Sequence, residues 1–132
     1  MMLTNVRGTA TADYYVSPPE ETDLAIEPYS FANNLRRHWP SADVQMIDNP
    51  QSIRALEWTL PLDKGVLRGS LHQTGQVVVL DGDVEDAAEF ALWVRTLVPI
   101  EYTLLFYDEG YSTAVELRLG MTVEEIANSF LT

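Results

Sequence analysis

The sequence contains no cysteine, so it can build no disulfide framework, no thiolate metal site and no thiol nucleophile. Lysine is nearly missing as well: Lys64 stands alone among 8 basic residues, the others being arginine. Against 20 acidic residues this leaves a formal charge of −12. Nucleic-acid binding needs a basic face that displaces counterions, so that class of partner is disfavoured. The same charge favours a basic protein partner, because complementary surface charge steers association. Histidine is scarce: His38 and His72 are too few for a histidine-based metal cluster. No metal and no cofactor is expected, since the chain has no phosphate-binding loop, no dinucleotide fingerprint and no HExxH motif. No stretch nears the roughly 18 apolar residues of a membrane span. "MMLTNVRGTATADYYV" lacks the apolar core of a signal peptide, so a cytoplasmic protein is expected.

What is present is the composition of one globular domain: 132 residues, 46% hydrophobic. Residues 1–11 are small and polar and read as a flexible tail, leaving 12–132 as a single domain. "TADYYV" reads as a strand, and "SPPEETDLAIE" as a loop that Pro18 and Pro19 keep irregular. "PYSFANNLRRHW" reads as a helix with Pro28 in its first turn and Phe31, Leu35 and Trp39 on one stripe. "ADVQMI" reads as a strand. "IRALEWTLPL", "VLRGSLH" and "QVVVL" alternate apolar and polar residues between short glycine-containing turns, the pattern of antiparallel hairpins. A helix follows from Asp83. "EYTLLFY" is almost continuously apolar and reads as a central strand, "TAVELRLG" as its return, and "TVEEIANSFL" as a helix with a capping box at Thr122 and Glu125. The order β-α-β-β-β-β-α-β-β-α predicts an α+β fold: a mostly antiparallel sheet with two or three helices on one face.

Four acids crowd into "DGDVED", at Asp81, Asp83, Glu85 and Asp86. The first three have the 1, 3, 5 spacing of a calcium loop. The loop then fails, because Asp86 holds the position that needs glycine and Leu92 the one that needs a bidentate glutamate. Asp83 reads instead as a helix cap, and the acids behind it complement the helix dipole. On that helix Val84, Ala87, Ala88, Phe90, Ala91, Val94, Leu97 and Val98 share a buried arc, while Glu85, Asp86, Glu89 and Thr96, with Trp93 among them, share the opposite sector. An acidic face with an indole in it suits a docking anchor, tryptophan being enriched at interface hot spots; the competing reading folds Trp93 over a flank of the core or under a neighbouring loop.

A second acidic and aromatic group is "FYDEGYS". Tyr107, Asp108, Glu109 and Tyr111 converge there on a hairpin tip, a combination suited to arginine or lysine of a partner. The leading reading is therefore a non-enzymatic, acidic protein-interaction domain, an inhibitor or immunity-type accessory protein of bacterial type being one concrete form. A competing reading is a small-ligand or hydrolase-type domain using a cleft near Ser70, His72 and Asp108. Against it, Arg68 and His72 stand where a nucleophile elbow needs glycine. A third reading is a homodimer paired through an exposed sheet edge.

Overall fold

The computed structural model describes residues 12–131; the tail expected over residues 1–11 lies outside the described residues. Ten elements follow one another: β1 (Ala12–Ser17), α1 (Pro28–His38), β2 (Asp43–Met46), β3 (Arg54–Leu62), β4 (Gly65–His72), β5 (Val78–Gly82), α2 (Val84–Leu97), β6 (Leu105–Asp108), β7 (Ala114–Glu116) and α3 (Val123–Asn128). The seven strands form one antiparallel sheet in the order β2-β3-β4-β5-β1-β6-β7. The fold is thus the expected α+β class with the expected element order.

The meander from β2 to β5 follows from its short turns. The amino-terminal strand does not stay at the margin. β1 inserts between β5 and β6 and pairs antiparallel with both. β5 and β6 therefore run parallel to each other, and α2 crosses over β1 to connect them. Period-two alternation decides which side of each strand is covered. Tyr14 and Val16 of β1, Leu56, Trp58 and Leu60 of β3, Leu67 and Leu71 of β4, Val78 and Leu80 of β5 and Phe106 of β6 all point to one buried side. The helices cover that side. Trp58 lies flat on Phe90 of α2, with ring centroids 5.1 Å apart, and Phe90 lies flat on Trp39 at 5.3 Å. Phe31 of α1 meets Trp58, and Phe130 beyond α3 meets Tyr14 and Phe106 edge-on.

Each helix starts on a cap that its sequence supplies. Asp83 accepts from the Glu85 N–H at 2.8 Å, and Thr122 and Glu125 form the expected capping box. Glu27 caps α1 just before Pro28, accepting from the Tyr29 and Ser30 N–H groups; those bonds hold its carboxyl below the usual range. The chain leaves α2 through an arginine. Arg95 is buried, and its guanidinium donates to the carbonyls of Tyr102, Val98 and Pro99 at 2.8–3.0 Å. This staple holds 99–103 as a turn, so β6 starts only at Leu105, later than the apolar run predicts. β6 also lies next to the three-residue edge strand β7, not in the middle of the sheet.

Glycine is required at residue 69 by contact. A Cβ there would overlap the Trp58 indole. Gly69→Ala is expected to destabilise the domain by about 1–3 kcal/mol, the usual cost of overpacking, visible as a lowered urea midpoint with unchanged slope. Arg95→Met retains apolar bulk but leaves the Val98 and Tyr102 carbonyls without a donor, while the Pro99 carbonyl keeps the Tyr102 N–H. It is expected to cost about 1.5–3 kcal/mol in the same measurement.

Candidate functional site

Among the described residues no helix covers the second side of the sheet. The strand register orders it into rows across the strands. One row runs Gln45, Glu57, Ser70, Val79, Tyr15, Tyr107, Ala114, each residue opposite the next. The neighbouring row runs Asp43, Thr59, Arg68, Asp81, Asp13, and the Glu109 N–H donates to the Asp13 carbonyl at its end. Every side chain in both rows keeps some contact with solvent.

The aromatic part of the first row is built by stacking. Tyr15 and Tyr107 lie nearly parallel, with centroids 5.4 Å apart, and Tyr111 tilts onto Tyr107 at 4.8 Å. Tyr111 reaches there from a left-handed backbone, φ 60°, which an aromatic residue adopts at a cost of about 1 kcal/mol or more. The Tyr107 hydroxyl is anchored on Oγ of the buried Ser17 at 2.8 Å. Partial burial, then the charges of Glu109 and Asp13, raise the Tyr15 hydroxyl above its ordinary range, so it stays a neutral donor.

Beside the tyrosines the charge is unbalanced. Asp13 and Asp81 are directly opposite on adjacent strands, a like-charge arrangement that destabilises a sheet. Burial, then Asp81, then Glu109 push the Asp13 carboxyl up. Arg68 stands opposite Asp81 on the far side, but none of the ion pairs among the described residues involves Arg68, Asp13, Asp81 or Glu109. Arg54 is already paired with Glu57. Asp13, Asp81, Arg68 and Ser70 line a depression of about 270 Å³ on this face. Among the described residues no three acids or histidines converge closely enough to hold a metal ion.

The residues singled out on α2 are placed differently from one another. Glu85 and Glu89 are exposed, with Glu85 3.7 Å from the Lys64 ammonium. Asp86, expected on the open sector, is buried. The β3–β4 turn folds onto the first turn of α2, and the Lys64 N–H donates to both Asp86 oxygens at 3.2–3.3 Å. Burial pushes its carboxyl up despite that bond. Asp86 therefore holds a turn and is closed to any partner. Trp93 is partly covered. It packs against Phe31, Trp39 and Phe90 and stacks on His38, so it shields the flank of the core between α1 and α2. Arg37 and His38 border what remains open of it, which sets a guanidinium and an imidazole beside the indole.

The hairpin residues divide as well. Tyr107 belongs to the open sheet face, Glu109 and Tyr111 are exposed at its rim, and Asp108 turns inward to hold the hairpin. Asp108 accepts from the Ser112 hydroxyl and from the Thr113 N–H at 3.0 Å, and the Ser112 bond, foremost, holds its carboxyl below the usual range. Asp13, Tyr15 and Asp81 were not among the residues the sequence singled out as a site. Alternation in "TADYYVS" puts Asp13 and Tyr15 on one face, but their pairing with Asp81 and Tyr107 is non-local.

Ser70, His72 and Asp108 are not brought together. Ser70 lines the depression beside Asp13 and Arg68, whereas His72 borders another with Ser17, Pro18 and Glu20. His72 Nδ1 accepts from the Thr74 N–H at 3.1 Å, so in the neutral ring the proton sits on Nε2. Asp108 lies three strands from β4, about 14 Å at the usual strand spacing. The free edge of β2 is short, and Arg36 donates to its Val44 carbonyl at 3.4 Å. Among the described residues no helix is long and apolar enough to cross a membrane.

Asp13→Asn removes one member of the opposed carboxylate pair. It is expected to stabilise the fold by about 0.2–1 kcal/mol at neutral pH and low salt. The folded-state carboxyl is raised, so over the window between its unfolded and folded values the folded protein holds more protons, and stability falls as pH rises through that window. The gain from Asp13→Asn is thus full above the window and absent below it, which urea titrations at a series of pH values will resolve.

No protein-family model matches this sequence, and no curated protein or solved structure matches it.

Proposed function

We propose that this protein is a non-enzymatic interaction domain that binds a basic protein partner, in the manner of an inhibitor or immunity-type accessory protein. The observation that carries this reading is the helix-free face of the sheet, where stacked tyrosines adjoin carboxylates that have no ion-pair partner among the described residues. A chain with a formal charge of −12 attracts a basic surface over the whole approach, and the tyrosines supply contact area at low entropic cost. The binding residues on this reading are Asp13, Asp81, Glu109, Tyr15, Tyr107 and Tyr111. Glu85 and Glu89 contribute to steering, while Trp93 and Asp86 serve the fold. A cysteine-free chain suits the reducing cytoplasm, where such a partner would be met.

The test is affinity capture from the parent cell's lysate at low and at moderate salt. The intact protein is compared with Asp13→Asn/Asp81→Asn/Tyr107→Leu and with Glu85→Gln/Glu89→Gln. A single basic protein retained by the native chain and by the helix variant, and lost by the sheet variant, is expected. Its association should slow as salt is added. Retention of that partner by the sheet variant would overturn the assignment of the binding face.

A further inference from the structure

From the geometry of the open face we infer the chemistry of the group it receives: an arginine side chain on an extended segment of the partner, laid on Tyr15 and Tyr107 with its guanidinium turned to Asp13 and Asp81. This rests on the proposed interaction function and specifies its contact.

Three features select arginine over other cations. The first is the aromatic surface. Tyr15 and Tyr107 stack within 18° of parallel on adjacent strands, with Tyr111 against Tyr107, and both rings of the pair stay partly open to solvent, so the open part of the stack forms one aromatic platform. A planar guanidinium stacks on such a platform, whereas an ammonium is a compact point charge that keeps its water. The second is the placement of the acids. Asp13 lies two residues from Tyr15 on the same face of β1, and Asp81 lies directly opposite Asp13. The carboxylates therefore begin one row away from the rings, the reach of a side chain whose stem covers the tyrosines and whose head passes beyond them. The third is size. These acids do not converge as metal ligands do, yet they line a depression of about 270 Å³ that admits a side chain. Arg54, Glu57 and Arg68 line the same depression; Arg54 and Glu57 are paired with each other, which leaves Asp13 and Asp81 against Arg68 and so one uncompensated negative charge, enough for a single guanidinium and not for a cluster of cations.

An extended segment is the natural carrier. The open face is ordered in rows across the strands, and a strand-like peptide presents alternate side chains to it. The segment gains at once from two terms: relief of the Asp13–Asp81 repulsion and charge-assisted hydrogen bonds to both carboxylates.

Calorimetry on the full chain tests this with a short Gly-Ser peptide carrying alternating arginines, its lysine twin and its citrulline twin. The arginine peptide is expected to bind about fivefold more tightly than the lysine one at low salt, and the uncharged citrulline peptide not to bind. Tyr107→Leu and Tyr15→Leu should each abolish the arginine preference, Tyr107→Phe should preserve it, and Asp13→Asn/Asp81→Asn should weaken both cationic peptides. Equal binding of arginine and lysine peptides, or a preference that survives both leucine variants, overturns the arginine assignment but leaves an acidic docking face. If neither cationic peptide binds the native chain at low salt, the interaction reading itself falls with it. Should a leucine variant fail to fold, as judged by far-UV circular dichroism, the Tyr107→Phe and the aspartate variants still decide the outcome.

Discussion

The insertion of β1 between β5 and β6 is the constraint on which the rest of this structure depends. Without it the β2–β5 meander and the β6–β7 hairpin would be separate sheets, each with an unpaired edge. With it, α2 has a continuous surface to cross, and Val16, Tyr14 and Phe106 of the sheet complete the core that Phe90 and Phe130 fill from the helix side. The same insertion sets Asp13 against Asp81 and Tyr15 against Tyr107. The fold and the candidate site are thus consequences of one strand's pairing.

Consecutive residues of β1 do opposite jobs. Tyr14 stacks on Phe106 inside the core at 5.3 Å, and Tyr15 stacks on Tyr107 outside it at 5.4 Å. A slip of one residue would exchange the two faces, burying Asp13 and Tyr15 and exposing Tyr14 and Val16. Core burial of Tyr14 and Val16 therefore fixes the register, and the outer tyrosine platform inherits its precision. A site carried on paired strands in this way is held more rigidly than one carried on a loop.

Local pattern made most of the fold legible. Alternation found the strands of the meander, helical spacing found α1 and α2, and the Asp83 and Thr122 caps fell where side-chain chemistry placed them. Non-local pairing was not legible. Nothing in "TADYYV" says that it will enter the middle of a sheet formed by residues far along the chain, and so the opposition of Asp13 and Asp81 was out of reach. Asp86 and Trp93 show the same limit on a helix. A helical wheel puts both on the polar sector, but the β3–β4 turn closes over one and α1 over part of the other. Position on a helix decides direction; what arrives from elsewhere in the chain decides exposure.

A bare, partly aromatic sheet face invites unwanted association, and the charges on it govern which association is open. Two copies brought face to face would crowd Asp13, Asp81 and Glu109 from each into one interface, adding to a repulsion already present within a single chain. The formal charge of −12 on each copy works in the same direction at longer range. A cationic partner meets the reverse. It lowers the strain of the opposed aspartates, and the tyrosines then bury apolar area that had been exposed. On the proposed reading the carboxylates that weaken the isolated fold would thereby separate self from partner, so their cost in stability and their value in specificity would have one electrostatic origin.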